Sequence, residues 1–177
     1  VISGLGNAGS YLAVSASSVS GTFDTIKKIG AFDLEVSYSD KGVTLNATPY
    51  SVITWDGEAG DFRWENALNW NTNVLPTAND SVYIDVAGTN PTINLSSGAH
   101  SIRSLISNEA LSISGGSLTI AENSQINAAF TLSGGTLSGT GNFITNGSFT
   151  WSRGSMTGAG STVVSPGVTL TMSGTTD

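Results

Sequence analysis

The stretch Leu111-Ser112-Ile113-Ser114-Gly115-Gly116-Ser117-Leu118-Thr119 decides the fold. It returns 19 residues later as Phe130-Thr131-Leu132-Ser133-Gly134-Gly135-Thr136-Leu137-Ser138, and after another 19 as Phe149-Thr150-Trp151-Ser152-Arg153-Gly154-Ser155-Met156-Thr157. A constant period of this size is typical of a solenoid, in which each repeat forms one coil. Apolar and polar residues alternate at period two within the repeat, which indicates β-strands. We therefore predict an all-β chain with a parallel β-helix of about 19 residues per coil.

The same period predicts which side chains share the core. Coils that stack at the spacing of paired strands, about 4.8 Å, place equivalent residues in columns. The predicted core residues are Leu111, Ile113, Leu118, Phe130, Leu132, Leu137, Phe149, Trp151 and Met156. The row Ser112, Thr131, Thr150 and Thr169 is expected to face outward, and glycines are expected at the corners.

The repeat extends in both directions and suggests three regions. Ile93 to Gly98 matches Leu111 to Gly116 at an offset of 18, and Leu170 to Gly174 begins another coil after a small insertion. We predict four to five coils within residues 81–177, a Trp-rich cap or linker at 51–80, and an N-terminal β segment at 1–50. That segment is either the end of a preceding repeat or a small β domain.

The N-terminal segment contains a predicted hairpin. Phe32 to Tyr38 alternates between apolar and polar residues, Ser39-Asp40-Lys41-Gly42 forms a turn, and Val43 to Asn46 returns as the partner strand. Further apolar positions include Phe23, Ile26 and Ile29. Whether this segment joins the solenoid is left open by the sequence.

Composition excludes several classes of partner. The chain has 13 acidic and 6 basic residues, a net charge of −7 and no cysteine. Nucleic-acid binding requires clustered basic residues, whereas Lys27-Lys28 is the only basic pair, so no nucleic acid is expected. The chain contains no window of about 18 apolar residues, so membrane insertion is not expected. The first residues do not resemble a signal peptide, so if the protein is exported, we expect this chain to be an internal piece of something longer.

Three of the four tryptophans lie close together at Trp55, Trp64 and Trp70. One interpretation is an apolar lid over the first coil, because exposed strand edges at the end of a β-helix must be covered. The alternative is a carbohydrate platform made by Trp55, Trp64, Trp70 and Tyr83, since aromatic faces stack on sugar rings. Structural packing is the interpretation that the pattern favours.

Acidic side chains cluster beside the first tryptophan. Asp56, Glu58 and Asp61 flank Gly57 and Gly60, and carboxylates in such a loop are candidate Ca²⁺ ligands. The order of an EF-hand loop is missing, so no cofactor is required by the sequence. A pair of these carboxylates is also what a glycosidase would need.

An enzyme is nevertheless not predicted. Between residues 110 and 176 the only charged side chains are Glu122 and Arg153, which leaves an active-site cleft with little chemistry. His100 is the only histidine, and without a second histidine or a cysteine we expect it to be a surface or turn residue.

The Trp-rich segment resembles a known family. Trp55-Asp56-Gly57, Asp61-Phe62-Arg63-Trp64, Asn69-Trp70 and Asp80-Ser81-Val82-Tyr83-Ile84 resemble the opening of β-helix repeats in filamentous-haemagglutinin-like and autotransporter-like bacterial exported adhesins. Residues 132–160 are similar to the Ser-Gly-Gly-Thr-Leu repeats of these proteins, and 20–45 to the close of a preceding repeat. The resemblance implies a β-helix and an exported setting, and it carries over no catalytic residues.

These observations predict a non-catalytic structural and adhesive segment of a large exported bacterial surface protein, located outside the cell or on its surface. Its expected partners are glycans or host and environmental surfaces. One alternative is a carbohydrate-binding module of a secreted polysaccharide-active protein. Another is a self-assembling surface fibre whose subunits associate end to end through strands near Val1 or Leu170.

Overall fold

The computed structural model of the chain describes residues 9–22 and 32–174. The chain divides into two compact units between Ser51 and Val52. Within the described residues both units are made of β-strands, and the one helical element is a single 3₁₀ turn at Ala67–Asn69.

The first unit is an antiparallel sheet of three strands. These are β1 (Gly9–Ser15), β2 (Phe32–Ser39) and β3 (Gly42–Pro49), with β3 in the middle. The predicted hairpin is confirmed, because β2 and β3 pair antiparallel with Tyr38 opposite Val43. Phe23, Ile26, Ile29 and the strand edge near Val1 lie outside the described residues.

The second unit is the predicted parallel β-helix, a solenoid with three faces. Face A comprises β4 (Ser51–Thr54), β5 (Asp80–Ile84), β8 (Ser104–Ser107), β11 (Ser124–Ile126), β14 (Phe143–Thr145) and β17 (Thr162–Val164). Face B comprises β6 (Thr92–Leu95), β9 (Ala110–Ile113), β12 (Phe130–Leu132), β15 (Phe149–Trp151) and β18 (Leu170–Met172). Face C comprises β7 (Ala99–Ile102), β10 (Ser117–Ile120), β13 (Thr136–Gly139) and β16 (Ser155–Gly158). Successive coils supply one strand to each face.

The register follows the sequence period. Phe130 pairs with Leu111 on one side and with Phe149 on the other, so equivalent residues stack with a shift of 19. Leu118, Leu137 and Met156 form a second predicted column, and Ile113, Leu132 and Trp151 a third. Seven of the nine predicted core residues are buried, while Trp151 and Met156 are partly buried and packed against the core.

The glycine corners are needed because coils approach closely there. Gly135 has a positive φ of 64° and lies over Gly116, which has the same φ. A Cβ added to Gly135 would come within 2.7 Å of the Gly115 carbonyl carbon. Glycine therefore meets two demands at once, a left-handed backbone and the absence of a side chain.

Insertions change the register at both ends of the solenoid. Ser81 pairs with Ser104, a shift of 23, because the loop after β5 is longer than in later coils. Near the other end Thr150 pairs with Thr171, a shift of 21, and not with Thr169. The expectation that Thr169 continues the outward row is therefore wrong. The turn before β18 adds two residues and moves Thr171 into that position.

Candidate functional site

The three clustered tryptophans form one packed group. The Trp70 ring contacts Trp55 and Trp64 edge to face, with centroid distances of 4.9 and 4.8 Å. Trp70 Nε1 also donates a hydrogen bond to the Trp64 carbonyl oxygen at 3.0 Å. Trp64 and Trp70 are 0% exposed and Trp55 is 5% exposed. Their rings belong to the same apolar cluster as the first coils.

Backbone hydrogen bonds hold this cap on the first coil. The Trp64 N–H donates to the Asn94 carbonyl, and the Asn94 N–H donates to the Phe62 carbonyl, so the segment runs along β6. The Trp55 N–H donates to the Tyr83 carbonyl on β5. The indoles thus form a lid over the coil. Their faces are covered by neighbouring rings, and no sugar ring can stack on them in this arrangement.

His100 occupies a core position under the lid. It is 9% exposed and pairs in register with Leu118, and its ring lies edge-on to Trp64 at a centroid distance of 6.4 Å. Its Nε2 lies 3.0 Å from the Ser97 carbonyl oxygen, which satisfies the ring nitrogen locally. The expectation of a surface or turn histidine is therefore wrong. A polar ring is tolerated at this buried position because a nearby carbonyl serves as its hydrogen-bond partner.

Tyr83 is the only one of the four predicted carbohydrate-binding residues with an exposed side chain, at 37%. Its hydroxyl donates to Asp85 at 2.8 Å and accepts from the Asn108 amide at 3.3 Å. The hydrogen bond to Asp85 raises the pKa of Tyr83 above its ordinary value. A single tyrosine held by two neighbours offers far less stacking area than the predicted row of four aromatic residues.

Two of the three predicted calcium ligands, Asp56 and Asp61, accept hydrogen bonds within the cap. Asp61 accepts from the side-chain amides of Asn66 and Asn69 at 2.8 and 2.7 Å, and from the Arg63 N–H at 3.1 Å. These bonds, that of Asn66 foremost, hold the pKa of Asp61 below its ordinary value. Asp56 accepts from the Glu58 N–H. Across residues 9–22 and 32–174, no three acidic, histidine or cysteine side chains gather into a candidate metal site.

Glu65 fastens the cap to a corner of the solenoid. Its Oε1 accepts the N–H groups of both Ser96 and Ser97 and the Ser96 hydroxyl. Partial burial pushes the pKa of Glu65 upward, but the hydrogen bonds from the backbone and Ser96 outweigh it, and the pKa lies below its ordinary value. Acidic residues of this segment therefore act as caps for turn N–H groups.

Polar rows run along two faces of the solenoid. The outward residues of face B are Asn94, Ser112, Thr131, Thr150 and Thr171. The outward residues of face C are Ser101, Thr119, Ser138 and Thr157. The hydroxyls of Thr119 and Ser138 are 2.9 Å apart, so these two neighbours in the face C row bond to each other. These rows repeat the same chemistry at the strand spacing of about 4.8 Å.

An asparagine ladder runs along the corner that follows face A. The Asn127 amide donates to Asn108 at 2.7 Å, the Asn146 amide donates to Asn127 at 2.8 Å, and the Ser165 hydroxyl donates to Asn146 at 2.6 Å. This ladder was not predicted from the sequence, although its members are spaced by 19. These asparagines repeat in the turns, whereas the predicted columns come from residues in the strands.

One pair of charged side chains bridges two neighbouring coils. Arg103 and Glu122, one coil apart, form an ion pair at 2.6 Å in which the Glu122 side chain is exposed and the Arg103 side chain is half-buried. Beside it, a crevice of about 100 Å³ opens at the glycine corner between faces C and A, with Ser138, Asn142 and Thr157 in its lining. It has room for a few water molecules and brings no second carboxylate to Glu122 among its lining residues.

Comparison with protein-family models, with curated proteins and with solved structures yields no match. The part of the chain that the structure describes contains no helix long and apolar enough to cross a membrane. The fold itself defines the class of protein: a parallel β-helix of about five coils, closed at one end by a tryptophan cap.

Proposed function

We propose that the chain is a non-catalytic structural and adhesive segment of a large exported bacterial surface protein. The single observation that carries this proposal is the pair of unbroken outward rows of Ser, Thr and Asn on faces B and C. The resemblance of the Trp-rich segment and the Ser-Gly-Gly-Thr-Leu repeats to exported adhesins supports the setting. Extracellular or cell-surface location is part of the same proposal.

The mechanism is multivalent contact along a stiff rod. Each hydroxyl or amide in a row makes a weak contact with a glycan or another hydroxyl-rich surface, and the contacts are linked by one scaffold. Linked weak contacts gain avidity of about 10²–10⁴ over one contact when their spacing suits the partner. The hydrogen bond between Thr119 and Ser138 keeps these two hydroxyls in fixed positions, which reduces the entropy that they lose on binding.

The test compares free protein with protein displayed densely on beads, using glycan arrays and abiotic hydroxyl-rich surfaces. Two double variants replace outward hydroxyls by alanine. The first carries Thr131→Ala and Thr150→Ala on face B, and the second carries Thr119→Ala and Thr157→Ala on face C. We expect binding that rises steeply with bead density and falls in one of the two variants, while the other variant serves as the matched control. Absence of binding at every density, or equal binding by both variants and the original chain, contradicts the proposal.

A further inference from the structure

Face A differs from the other two faces in the chemistry of its outward row. The residues in register are Tyr83, Ile106, Gln125, Ile144 and Val163. Ile106 and Val163 are each 42% exposed, and β4 of the same face adds the exposed Val52. Faces B and C carry Ser, Thr and Asn at the equivalent positions. Ile144 and Gln125 are half-buried. A largely apolar row that is partly exposed, on one face of an otherwise polar rod, indicates an interaction surface.

The order of this row matches itself when it is reversed. Gln125 lies at the centre, Ile106 and Ile144 lie one strand away on either side, and Tyr83 and Val163 lie two strands away. A two-fold axis through Gln125 therefore places Ile106 against Ile144 of a second copy and Tyr83 against Val163. An interface between identical copies requires such self-complementarity. The two Gln125 amides can donate to and accept from each other on the axis, which fixes the register as one buried polar residue does in coiled coils.

Charge favours the antiparallel arrangement of the two rows. The Tyr83 end of face A carries Asp80 and Asp85, whereas residues 154–174 at the Val163 end carry no charged side chain. An antiparallel pair places the acidic end of one copy over the uncharged end of the other. A parallel pair would place each of these carboxylates against the same carboxylate of the second copy, and this repulsion is unfavourable. The row itself contains no charge in a chain whose net charge is −7.

The size of the face sets the strength of the contact. The five strands from β5 to β17 overlap about the axis, and at about 4.8 Å each they make the contact about 19 Å tall, while strands of a few residues make it about 10–15 Å wide. This is a few hundred Å² per copy, below the roughly 800 Å² per partner of a stable interface. The contact belongs to the transient class and becomes strong only where many copies are held side by side.

We propose that face A docks against face A of a second copy, with the rows antiparallel and a two-fold axis at Gln125. The interaction pairs solenoids side by side, and it is independent of binding by faces B and C. It therefore stands or falls separately from adhesion to glycans.

Association is measured by sedimentation velocity of the full chain up to a concentration of about 1 mM. We expect a concentration-dependent dimer that Ile106→Lys and Ile144→Glu each weaken about tenfold or more, because each places a charge against an apolar partner. Thr131→Glu on face B is the matched control and should leave association unchanged, with folding checked by circular dichroism. A mixture of Ile106→Lys and Ile144→Glu should form a heterodimer, because the two new charges face each other. A monomer at every concentration, or equal loss with Thr131→Glu, overturns the proposal.

Cysteine substitution tests the register, because the chain contains no cysteine of its own. Gln125→Cys lies on the proposed axis and should form a disulfide-linked dimer under mild oxidation. Ile106→Cys alone should not form a disulfide-linked dimer. Position 106 of one copy lies two strands, about 10 Å, from position 106 of the other, which is beyond the reach of a disulfide. A mixture of Ile106→Cys and Ile144→Cys should cross-link. Efficient self-linkage of Ile106→Cys would show parallel rows and overturn the antiparallel proposal.

Discussion

The ring of Phe149 lies over the ring of Phe130 in the neighbouring coil, with centroids 4.9 Å apart and planes inclined by 35°. The two residues pair in register on β12 and β15, and neither ring is more than 1% exposed. Each ring therefore removes the other from water. This one contact expresses the rule of the whole solenoid, in which every coil is buried by its neighbours.

Removing one ring of this column should destabilise the solenoid strongly. We expect Phe130→Ala to lower the free energy of unfolding by about 3–5 kcal/mol, through lost burial and the cavity that remains. Urea unfolding followed by circular dichroism measures the change. Thr131→Ala, one residue along and facing outward, should cost no more than about 0.5–1 kcal/mol. Similar costs for the two variants would contradict the inward and outward assignments of β12.

Two glycines with positive φ allow the cost of a left-handed backbone to be measured separately from the cost of a collision with the neighbouring coil. Gly88 and Gly135 both have positive φ, 78° and 64°, but a Cβ at Gly88 would meet nothing within 4 Å. We expect Gly88→Ala to cost about 1–2 kcal/mol, because alanine is strained in a left-handed conformation. Gly135→Ala should cost about 1–3 kcal/mol more, because its Cβ would also collide with the backbone of the coil below. Denaturant midpoints of the two variants give the comparison, and equal midpoints would refute close stacking at this corner.

The cap should lose stability in acid. Asp61 and Glu65 have pKa values lowered from 3.8 and 4.5, so the folded state favours their ionised forms. Their contribution is complete above the ordinary values and disappears as the pH falls through the lowered ones. We expect the melting temperature, followed by tryptophan fluorescence, to be flat from about pH 7 to 5 and to fall below about pH 4.5.

Variants without these charges provide the control for the acid response. Asp61→Asn and Glu65→Gln should start from a lower melting temperature at neutral pH and fall less steeply in acid. If the double variant falls as steeply as the original chain, other carboxylates cause the acid response and the assignment is wrong.

The coils could be predicted from the sequence because parallel stacking places each residue over the one 19 positions earlier. Leu111, Phe130 and Phe149 are therefore recognisable as a column from their spacing alone. The same logic missed His100, which pairs with Leu118 at a shift of 18. We expected His100 at the surface because histidine is polar, although its position in the repeat is that of a core residue. Thr169 was misplaced because two extra residues before β18 move Thr171 into the row.

The cap could be predicted only in part, because it does not repeat. Its tryptophans predicted a packed lid, which their burial confirms. The role of Asp61 in binding Asn66 and Asn69 does not follow from spacing. The apolar row of face A was hidden for a different reason. Ile106, Ile144 and Val163 look like core residues by type, and only the register shows that they face outward.

Deletion of one complete coil tests the central claim most directly. Removing residues 130–148 joins Ala129 to Phe149, which then occupies the place of Phe130 in the register. A matched deletion of residues 130–139 removes about half a coil. Thr140 then takes the place of Phe130, and the residues that follow are shifted out of their inward positions. We predict that the first variant keeps its β-sheet circular dichroism and unfolds cooperatively with a smaller m-value, because it buries less surface. The second should not fold in the same way. Unfolding of the 19-residue deletion, or equal behaviour of the two variants, would contradict a solenoid of stacked, interchangeable coils.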